Sequence, residues 1–107
     1  MLEAKVLRVV DGDTLVIEIP KLTVRLDFVD SFETKGVERQ AGLAAKAWME
    51  QQLLVGDEVQ IDPKNFDIHG RLVATVFKGE ENINGSLLKS GHAEVYTPSN
   101  HDNGKLD

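Results

Sequence analysis

The chain contains no cysteine among its 107 residues, so disulfide bonds and metal sites built from thiolates are excluded. It also lacks a run of about 20 apolar residues, the length that a membrane-spanning helix needs. The N-terminal segment carries charges at Glu3, Lys5 and Arg8, which interrupt the apolar run that a secretory signal requires. We therefore expect no membrane segment and no signal peptide in this chain. Its location, cytoplasmic or secreted, is left open.

An excess of positive charge is also missing. Eighteen acidic and twelve basic residues give a net charge of −6 at pH 7, whereas proteins that hold nucleic acid by overall charge are usually basic. Any polyanionic partner must therefore bind at a local site. The length and the 41% hydrophobic content fit one globular domain. We expect a monomer in which residues 1–98 form the domain and residues 99–107 a polar tail.

Apolar residues that alternate with polar ones predict β-strands along much of the chain. The hairpin signal Asp11-Gly12 joins the first two of them. In the third strand, alternation predicts that Val24, Leu26 and Phe28 face the core. Pro63 is expected to close the fourth strand. The predicted strands span residues 5–10, 14–19, 23–29, 57–62 and 71–77, and residues 92–96 form a last extended piece.

Two helices complete the predicted elements. Residues 40–54 have a helical period, with Gly56 expected at the stop. Their broad apolar face is made of Ala41, Ala44, Ala45, Trp48, Met49 and Leu53. A short helix capped by Asn84 runs through Lys89 and stops at Gly91. These elements predict an α+β domain: a five-stranded OB-fold β-barrel with one main helix and a short second helix.

Carboxylates collect at the strand boundaries of this predicted barrel. Asp13, Asp30 and Glu33 offer oxygen ligands without cysteine or clustered histidine, a set that suits a hard cation such as Ca²⁺ or Mg²⁺. The alternative interpretation is that Asp11 and Asp13 are turn residues and that Asp30 caps a strand end. For Asp11 we favour the turn role.

Two arginines and two ring side chains are the other candidates. Arg25 and Arg71 each present a planar fork of donors that matches phosphate oxygens, although both could be ordinary surface arginines. Alternation puts Arg25 and Asp30 on opposite faces, so a shared site requires the strand to bulge or end near residue 29. His69 could act as a base or lie exposed in a loop. Tyr96 could stack on a nucleobase or simply pack.

Taken together, these pieces resemble the staphylococcal nuclease (thermonuclease) family over roughly residues 5–98. The matching stretches are "VVDGDTL", "VRLDFVDSFETK", "DIHGRLVATVF" and "NINGSLLKSGHAEVY". The five charged positions occur in order with the helix between them, which makes the match specific. The resemblance implies an OB-fold barrel and Ca²⁺-dependent hydrolysis of the phosphodiester bonds of DNA and RNA. It also implies products with a 3′-phosphate and a 5′-hydroxyl.

The resemblance assigns a role to each candidate at the metal. Asp13 and Asp30 would bind Ca²⁺ through their carboxylates, and Ser31 would bind it through its backbone carbonyl. Glu33 would touch the ion through water and either activate or orient the attacking water. General chemistry is consistent with these roles, because a hard cation can bridge a phosphate oxygen and a water molecule.

On the substrate side, the resemblance implies that Arg25 and Arg71 grip the scissile phosphate. By the resemblance, His69 falls at a position that lines the nucleotide pocket. His69 and Tyr96, whose ring could stack on a base, are our candidate substrate-binding residues. Well-placed donors of the arginine type are each worth about 10²–10³ in rate, because they stabilise the charge that develops in the transition state.

The sequence departs from the family pattern in places. Phe32 stands where a proline is usual and Ser31 where a threonine is usual. Ile68 and His69 replace a lysine and a tyrosine of the nucleotide pocket, and Glu94 replaces a further tyrosine. The alternative function is therefore a non-catalytic OB-fold module that binds nucleic acid or protein. Presence of the whole charged set favours the nuclease.

Overall fold

The computed structural model describes residues 1–18, 21–32, 34 and 36–96. Within these residues the chain forms eight strands and two α-helices. The main helix, α1, spans Arg39–Gln52 after a 3₁₀ turn at Gly36–Glu38, and the short helix α2 spans Ile83–Ser90. The strands are β1 (Leu2–Asp11), β2 (Thr14–Glu18), β3 (Leu22–Leu26), β4 (Val29–Ser31), β5 (Glu58–Phe66), β6 (Leu72–Lys78), β7 (Glu81–Asn82) and β8 (Ala93–Val95).

Five of the described strands close into a barrel. Their order is β3-β2-β1-β5-β6 with antiparallel neighbours, and parallel pairing of β3 with β6 closes the ring. Strand β7 extends the edge beyond β6, and β4 pairs separately with β8. This closed five-stranded barrel with one main helix and a short second helix confirms the predicted α+β OB-fold.

The core lies inside the barrel and under its two helices. In β1 the buried residues are Ala4 and Val6, then Val9, because a register shift between Val6 and Arg8 changes the phase of alternation. Buried apolar residues of the other elements complete one cluster: Leu15, Ile17, Val24, Leu26, Val29, Met49, Leu53, Val59, Ile61, Leu72, Ala74, Val76, Ile83 and Leu87.

Helix α1 confirms the predicted main helix, but its buried face is narrower than predicted. Ala45, Met49 and Leu53 are buried as expected, and Trp48 is half-buried against the core. Ala41 and Ala44 are exposed. Gly42, which the pattern did not single out, is buried instead.

The strand predictions need two corrections. Phe28 does not face the core: its side chain is 56% exposed, because β3 ends at Leu26 and Phe28 follows in a turn with a left-handed φ of 68°. Pro63 does not close its strand, since β5 continues to Phe66. A register shift between Pro63 and Asn65 accommodates the proline, which lacks an N–H to donate.

The helix ends also differ from the prediction in detail. Asn82, not Asn84, caps α2: its side-chain oxygen accepts a hydrogen bond from the N–H of Gly85 at 3.1 Å. Gly91 ends α2 in the left-handed conformation, as predicted. Gly56 is not the stop of α1, which ends at Gln52. It sits in the following turn and donates its N–H to the carbonyl of Val6.

Some predictions fall outside the described residues. Pro20, expected to end the second strand, lies there, as do Glu33 and residues 97–107. The assignment of residues 99–107 as a polar tail therefore stays a prediction. Neither described helix has the length and the apolar character that crossing a membrane would require.

Candidate active site

Strand register places the candidate side chains around Arg25. In the barrel, Thr14 of β2 lies opposite Arg25 of β3, and Arg25 lies opposite Val73 of β6. Asp13 immediately precedes β2, and Arg71 immediately precedes β6. Because residues two apart on a strand share a face, Arg71 lies on the same side of β6 as Val73. Two neighbouring strands thus deliver Asp13 and Arg71 to either side of Arg25.

A turn after β3 brings Asp30 to the same place. The chain leaves the sheet at residues 27–28, and the left-handed backbone of Phe28 re-aims the segment that follows. Arg25 holds this turn, since its Nη1 donates to the carbonyls of Leu26 at 2.9 Å and of Val29 at 2.6 Å. Its Nη2 lies 3.5 Å from Oδ1 of Asp30. The condition for a shared site, a strand that ends before residue 29, is therefore met.

Asp13 is the most buried carboxylate of the group, at 6% exposure. Its Oδ2 accepts a hydrogen bond from the N–H of Ser31 at 2.8 Å and lies 3.4 Å from Nη1 of Arg25. Its Oδ1 accepts from the hydroxyl of Thr14. Burial alone would raise the pKa of Asp13, but the charge of Arg25 and these hydrogen bonds outweigh burial and lower it. Asp13 is therefore an anion at neutral pH.

Asp11 occupies the other side of the β1–β2 turn. Its Oδ1 accepts a hydrogen bond from the N–H of Asp13 at 3.3 Å, which is the turn role that we favoured. Burial first, and then the neighbouring Asp13, raise the pKa of Asp11 to about 6. Negative charge is therefore crowded at this end of the barrel.

Arg71 is held by a residue that the sequence analysis did not single out. Asp67 begins the turn between β5 and β6, and its Oδ2 accepts a hydrogen bond from Nε of Arg71 at 2.8 Å. Its Oδ1 accepts the backbone N–H groups of His69 and Arg71. An Asp that opens a glycine-containing turn four residues before an arginine was the available signal, since Asp side chains bond the backbone two residues on.

The two predicted substrate-binding side chains lie in different places. Tyr96 lines the cavity described below, and the guanidinium carbon of Arg25 lies 5.4 Å from the centre of its ring. Its N–H donates to the carbonyl of Phe28. His69 is exposed in the turn before Arg71 and is not among the described residues that line the cavity. Glu94 lies directly opposite Asp30 in the β4–β8 pair.

The aspartates, the two arginines and Tyr96 described above line one cavity of about 380 Å³. The described residues that line it include five aspartates and two arginines. The lining is Asp11, Asp13, Thr14, Arg25, Leu26, Asp27, Phe28, Asp30, Ser31, Phe32, Asp67, Arg71, Val73 and Tyr96. The site therefore combines two anion-binding side chains with a surplus of carboxylate charge.

The donors present fit a hard cation in chemistry. Asp13 and Asp30 supply carboxylate oxygens, Ser31 supplies a backbone carbonyl, and the chain has no thiolate to compete. In the part of the chain that the structure describes, no three His, Asp or Glu side chains form a ready-made metal cluster. Glu33, the third predicted carboxylate, lies outside the described residues. The metal assignment thus rests on the type of donors.

The fold and the site together define a small OB-type barrel whose mouth carries two arginines beside aspartates. Comparison with known protein families matches residues 23–107 to the family described as staphylococcal nuclease homologue. The chain belongs to this family, which confirms the resemblance. By its description, the family is a nuclease-like one.

One curated relative adds to this. Protein ParB of Escherichia coli is 29% identical over 108 residues, an alignment that covers 89% of this chain. The same alignment covers 58% of Protein ParB, so the chain spans little more than half the length of that relative.

Proposed function

We propose that this protein is a calcium-dependent nuclease that hydrolyses phosphodiester bonds of DNA and RNA to 3′-phosphate and 5′-hydroxyl products. The observation that carries the proposal is the convergence of Arg25, Arg71, Asp13 and Asp30 on one cavity at the barrel mouth. Phosphodiester hydrolysis needs donors for the phosphate oxygens and a way to deliver water to the phosphorus. Arginines that can donate to phosphate oxygens and carboxylates that can bind a cation or a water molecule line this cavity.

The charge of the cavity argues for a cation in the reaction. Five aspartates against two arginines among the described lining residues would repel a phosphodiester. A divalent cation bound by the carboxylates would offset most of that excess and place positive charge where the phosphate must sit. We assign Asp13, Asp30 and the carbonyl of Ser31 to a Ca²⁺ ion, which when bound supplies Lewis-acid polarisation of a phosphate oxygen.

Arg25 and Arg71 are suited to bind the phosphate in complementary ways. Arg25 is fixed by two backbone carbonyls and by its ion pairs with Asp13 and Asp30, so its guanidinium needs no ordering when substrate arrives. Among the described residues, Asp67 contacts Arg71 through Nε. The two terminal amino groups of Arg71 are thereby left to bind oxygens of the phosphate.

In the proposed reaction a water oxygen attacks the phosphorus and the bond to O5′ breaks. Negative charge grows on the phosphate oxygens as the attack proceeds, and the two arginines stabilise it. The attacking water ends as a hydroxyl on the phosphate, which stays on the 3′ side. The other proton of that water balances the proton that the leaving O5′ gains when it becomes the 5′-hydroxyl. We assign Glu33, by the resemblance, to the orientation or activation of the water.

The rate at which the Arg71→Ala variant cleaves an oligonucleotide tests the proposal. Arg8→Ala, an exposed arginine of β1, is the matched control. We expect Arg71→Ala to slow cleavage of a single-stranded oligonucleotide in Ca²⁺ by at least about 10²-fold, while Arg8→Ala cleaves at the wild-type rate. Circular dichroism of both variants should match the wild type, because Arg71 lies in the turn before β6 and its side chain is partly exposed.

Two results would contradict the proposal. Wild-type turnover by Arg71→Ala would make Arg71 an ordinary surface arginine. Tight binding of the oligonucleotide by the wild type, without cleavage under any metal condition, would favour the non-catalytic OB-fold module.

A further inference from the structure

Phe28 is an aromatic ring held out at the rim of the proposed active site. Its side chain is 56% exposed and lines the cavity together with Arg25 and Arg71. Its φ of 68° lies in the left-handed region, which a bulky residue rarely adopts. A glycine or an asparagine would make the same turn more easily, so the turn itself does not explain a phenylalanine here.

The backbone around Phe28 is fixed on both sides. Its N–H donates to Oδ1 of Asp27 at 3.0 Å, and its carbonyl accepts from the N–H of Tyr96 at 2.8 Å. The carbonyl of Asp27 in turn accepts from the buried amide of Asn84 at 2.9 Å. These bonds hold the backbone of Phe28, and with it the direction of the Cα–Cβ bond, in one place relative to the cavity. An exposed ring on a rigid backbone loses little conformational freedom when it binds a flat ligand.

A cation accompanies the ring. Nζ of Lys64, from β5, lies 5.2 Å from the centre of the Phe28 ring and 3.6 Å from Oδ1 of Asp27. The Lys64 side chain is 51% exposed, so its ammonium group can move to an incoming anion. Lys64 adds positive charge beside a cavity whose described lining has more carboxylates than arginines.

We propose that Phe28 and Lys64 form a nucleotide subsite next to the cleaved phosphate, in which Phe28 stacks on an unpaired base and Lys64 binds a phosphate of the same strand. The subsite rests on the proposed function and deepens it, because it names the two residues that would hold the base and a phosphate beside the cleaved bond. An aromatic platform beside a cationic side chain is the usual way to hold a single strand. A base inside a duplex is stacked on its neighbours and does not reach the ring.

The test measures binding apart from cleavage. A fluorescent single-stranded oligonucleotide with non-hydrolysable internucleotide linkages is titrated in Ca²⁺ and followed by anisotropy. Phe28→Ala should weaken binding at least about fivefold, the lower end of what one base–aromatic stack contributes. Phe28→Trp, which keeps a platform, should bind at least as tightly as the wild type.

Phe66→Ala is the matched control. Phe66 lies at the end of β5, is 60% exposed and is not among the described residues that line the cavity. Loss of the Phe66 ring should leave the affinity for the oligonucleotide within twofold of the wild-type value. Thermal unfolding of all three variants guards against a change of fold, and Phe28→Trp keeps the test decisive if Phe28→Ala is unstable.

A second arm locates the base. Oligonucleotides that carry one abasic position each should lose affinity for the wild type at one particular position, and Phe28→Ala should no longer distinguish that oligonucleotide from the intact one.

Lys64→Gln should reduce the slope of log affinity against log salt by about 0.7, the value for one phosphate contact on a single strand. Lys5→Gln, exposed on β1, should leave the slope unchanged.

The outcomes separate the subsite from the nuclease activity. Equal affinities for Phe28→Ala and Phe66→Ala overturn the subsite even if the wild type cleaves nucleic acid. Loss of affinity in Phe28→Ala alone, in a protein that cleaves nothing, supports the subsite and overturns the proposed nuclease. A wild type that binds duplex and single strand equally, or neither, overturns the subsite.

Discussion

The Arg25 side chain both fixes a turn of the backbone and contacts the charged groups of the site. Its Nη1 donates to the carbonyls of Leu26 and Val29, which fixes the turn that aims Asp30. The same guanidinium faces Asp13, Asp30 and the ring of Tyr96. An arginine pre-positioned by backbone carbonyls has already lost its freedom before substrate binds. The geometry of the proposed metal side and of the proposed phosphate side of the site therefore depends on one residue.

Gly12 sets the distance between the β1–β2 turn and its neighbours. A Cβ at this position would lie 2.9 Å from the Cβ atoms of Ala45 and Ser31, closer than carbon atoms pack. We expect Gly12→Ala to lower the free energy of unfolding by about 1–3 kcal/mol, because neither Cβ can rotate away. Denaturant unfolding measures this loss.

The control for that substitution is Gly85→Ala in α2. A Cβ there meets Asn82 at 3.8 Å or more, an ordinary contact. This variant should gain about 0.5–1 kcal/mol of stability, because alanine favours a helix over glycine. If Gly12→Ala were as stable as the wild type, the close contact among the turn, α1 and β4 would be wrong.

Asp67 links the position of Arg71 to pH. Burial raises the pKa of Asp67, but hydrogen bonds from the backbone and the guanidinium of Arg71 outweigh it and hold the pKa below the usual 3.8. A carboxylate with a lowered pKa stabilises the fold above pH 3.8, and this stabilisation is lost as pH falls through the lowered value. We expect Asp67→Asn to be less stable than the wild type at pH 7, with the gap closing below about pH 4.

Denaturant unfolding between pH 3 and pH 7 checks this prediction. Asp62→Asn, an exposed aspartate of β5, is the control and should stay within about 0.5 kcal/mol of the wild type throughout. A gap between the wild type and Asp67→Asn that persisted unchanged at pH 3 would contradict the role given to the charge of Asp67.

At the scale of elements, Asn84 joins α2 to the barrel and to the turn of the site. Its Oδ1 accepts from the N–H of Val76, and its Nδ2 donates to the carbonyls of Asp27 and Ala74. All three bonds are buried. We expect Asn84→Ala to cost about 2 kcal/mol or more in the free energy of unfolding, because the buried N–H of Val76 and the buried carbonyl of Asp27 lose this partner. The carbonyl of Ala74 still accepts from the N–H of Asp27.

Asn82→Ala gives the comparison within the same helix. It removes an exposed N-cap bond to Gly85 and should cost about 1 kcal/mol. Thermal and denaturant unfolding of the two variants rank them directly. If Asn82→Ala proved the more damaging, the buried bonds of Asn84 would not be what fastens α2 to the site.

Elements with local signals could be predicted from the sequence. The Asp11-Gly12 hairpin, the main helix and the stop at Gly91 each depend on residues within a few positions. Strand β5 beyond Pro63 could not, because its pairing with β6 outweighs the local cost of proline. The register of β3 with β6, which unites Arg25 and Arg71, is a long-range pairing that alternation does not encode.

The candidate site was predictable in composition but not in geometry. Asp13, Asp30, Ser31, Arg25, Arg71 and Tyr96 surround one cavity. Alternation predicted Phe28 in the core, but side-chain bonds from Arg25 and from the distant Asn84 stabilise a turn that exposes it, and alternation does not encode such bonds. Asp67 was missed although its place at the start of a glycine-containing turn was a local signal, because its hydrogen bond to Arg71 is seen only in the folded turn.

For the whole molecule, net charge decides which mechanism can work. A protein with a net charge of −6 does not attract a polyanion from a distance. Its described cavity lining is also dominated by carboxylates. We therefore infer that a bound cation brings the phosphate next to Arg25 and Arg71, so that the proposed nuclease activity depends on calcium.

The most direct measurement is cleavage of a single-stranded oligonucleotide in Ca²⁺, in Mg²⁺ and in excess chelator, with Asp13→Asn beside the wild type. We predict cleavage in Ca²⁺, little in Mg²⁺ because that ion demands stricter octahedral geometry, and none in chelator until Ca²⁺ is restored. Asp13→Asn should need far more Ca²⁺, and the products should carry 3′-phosphates and 5′-hydroxyls. Undiminished cleavage in chelator would contradict the proposed function.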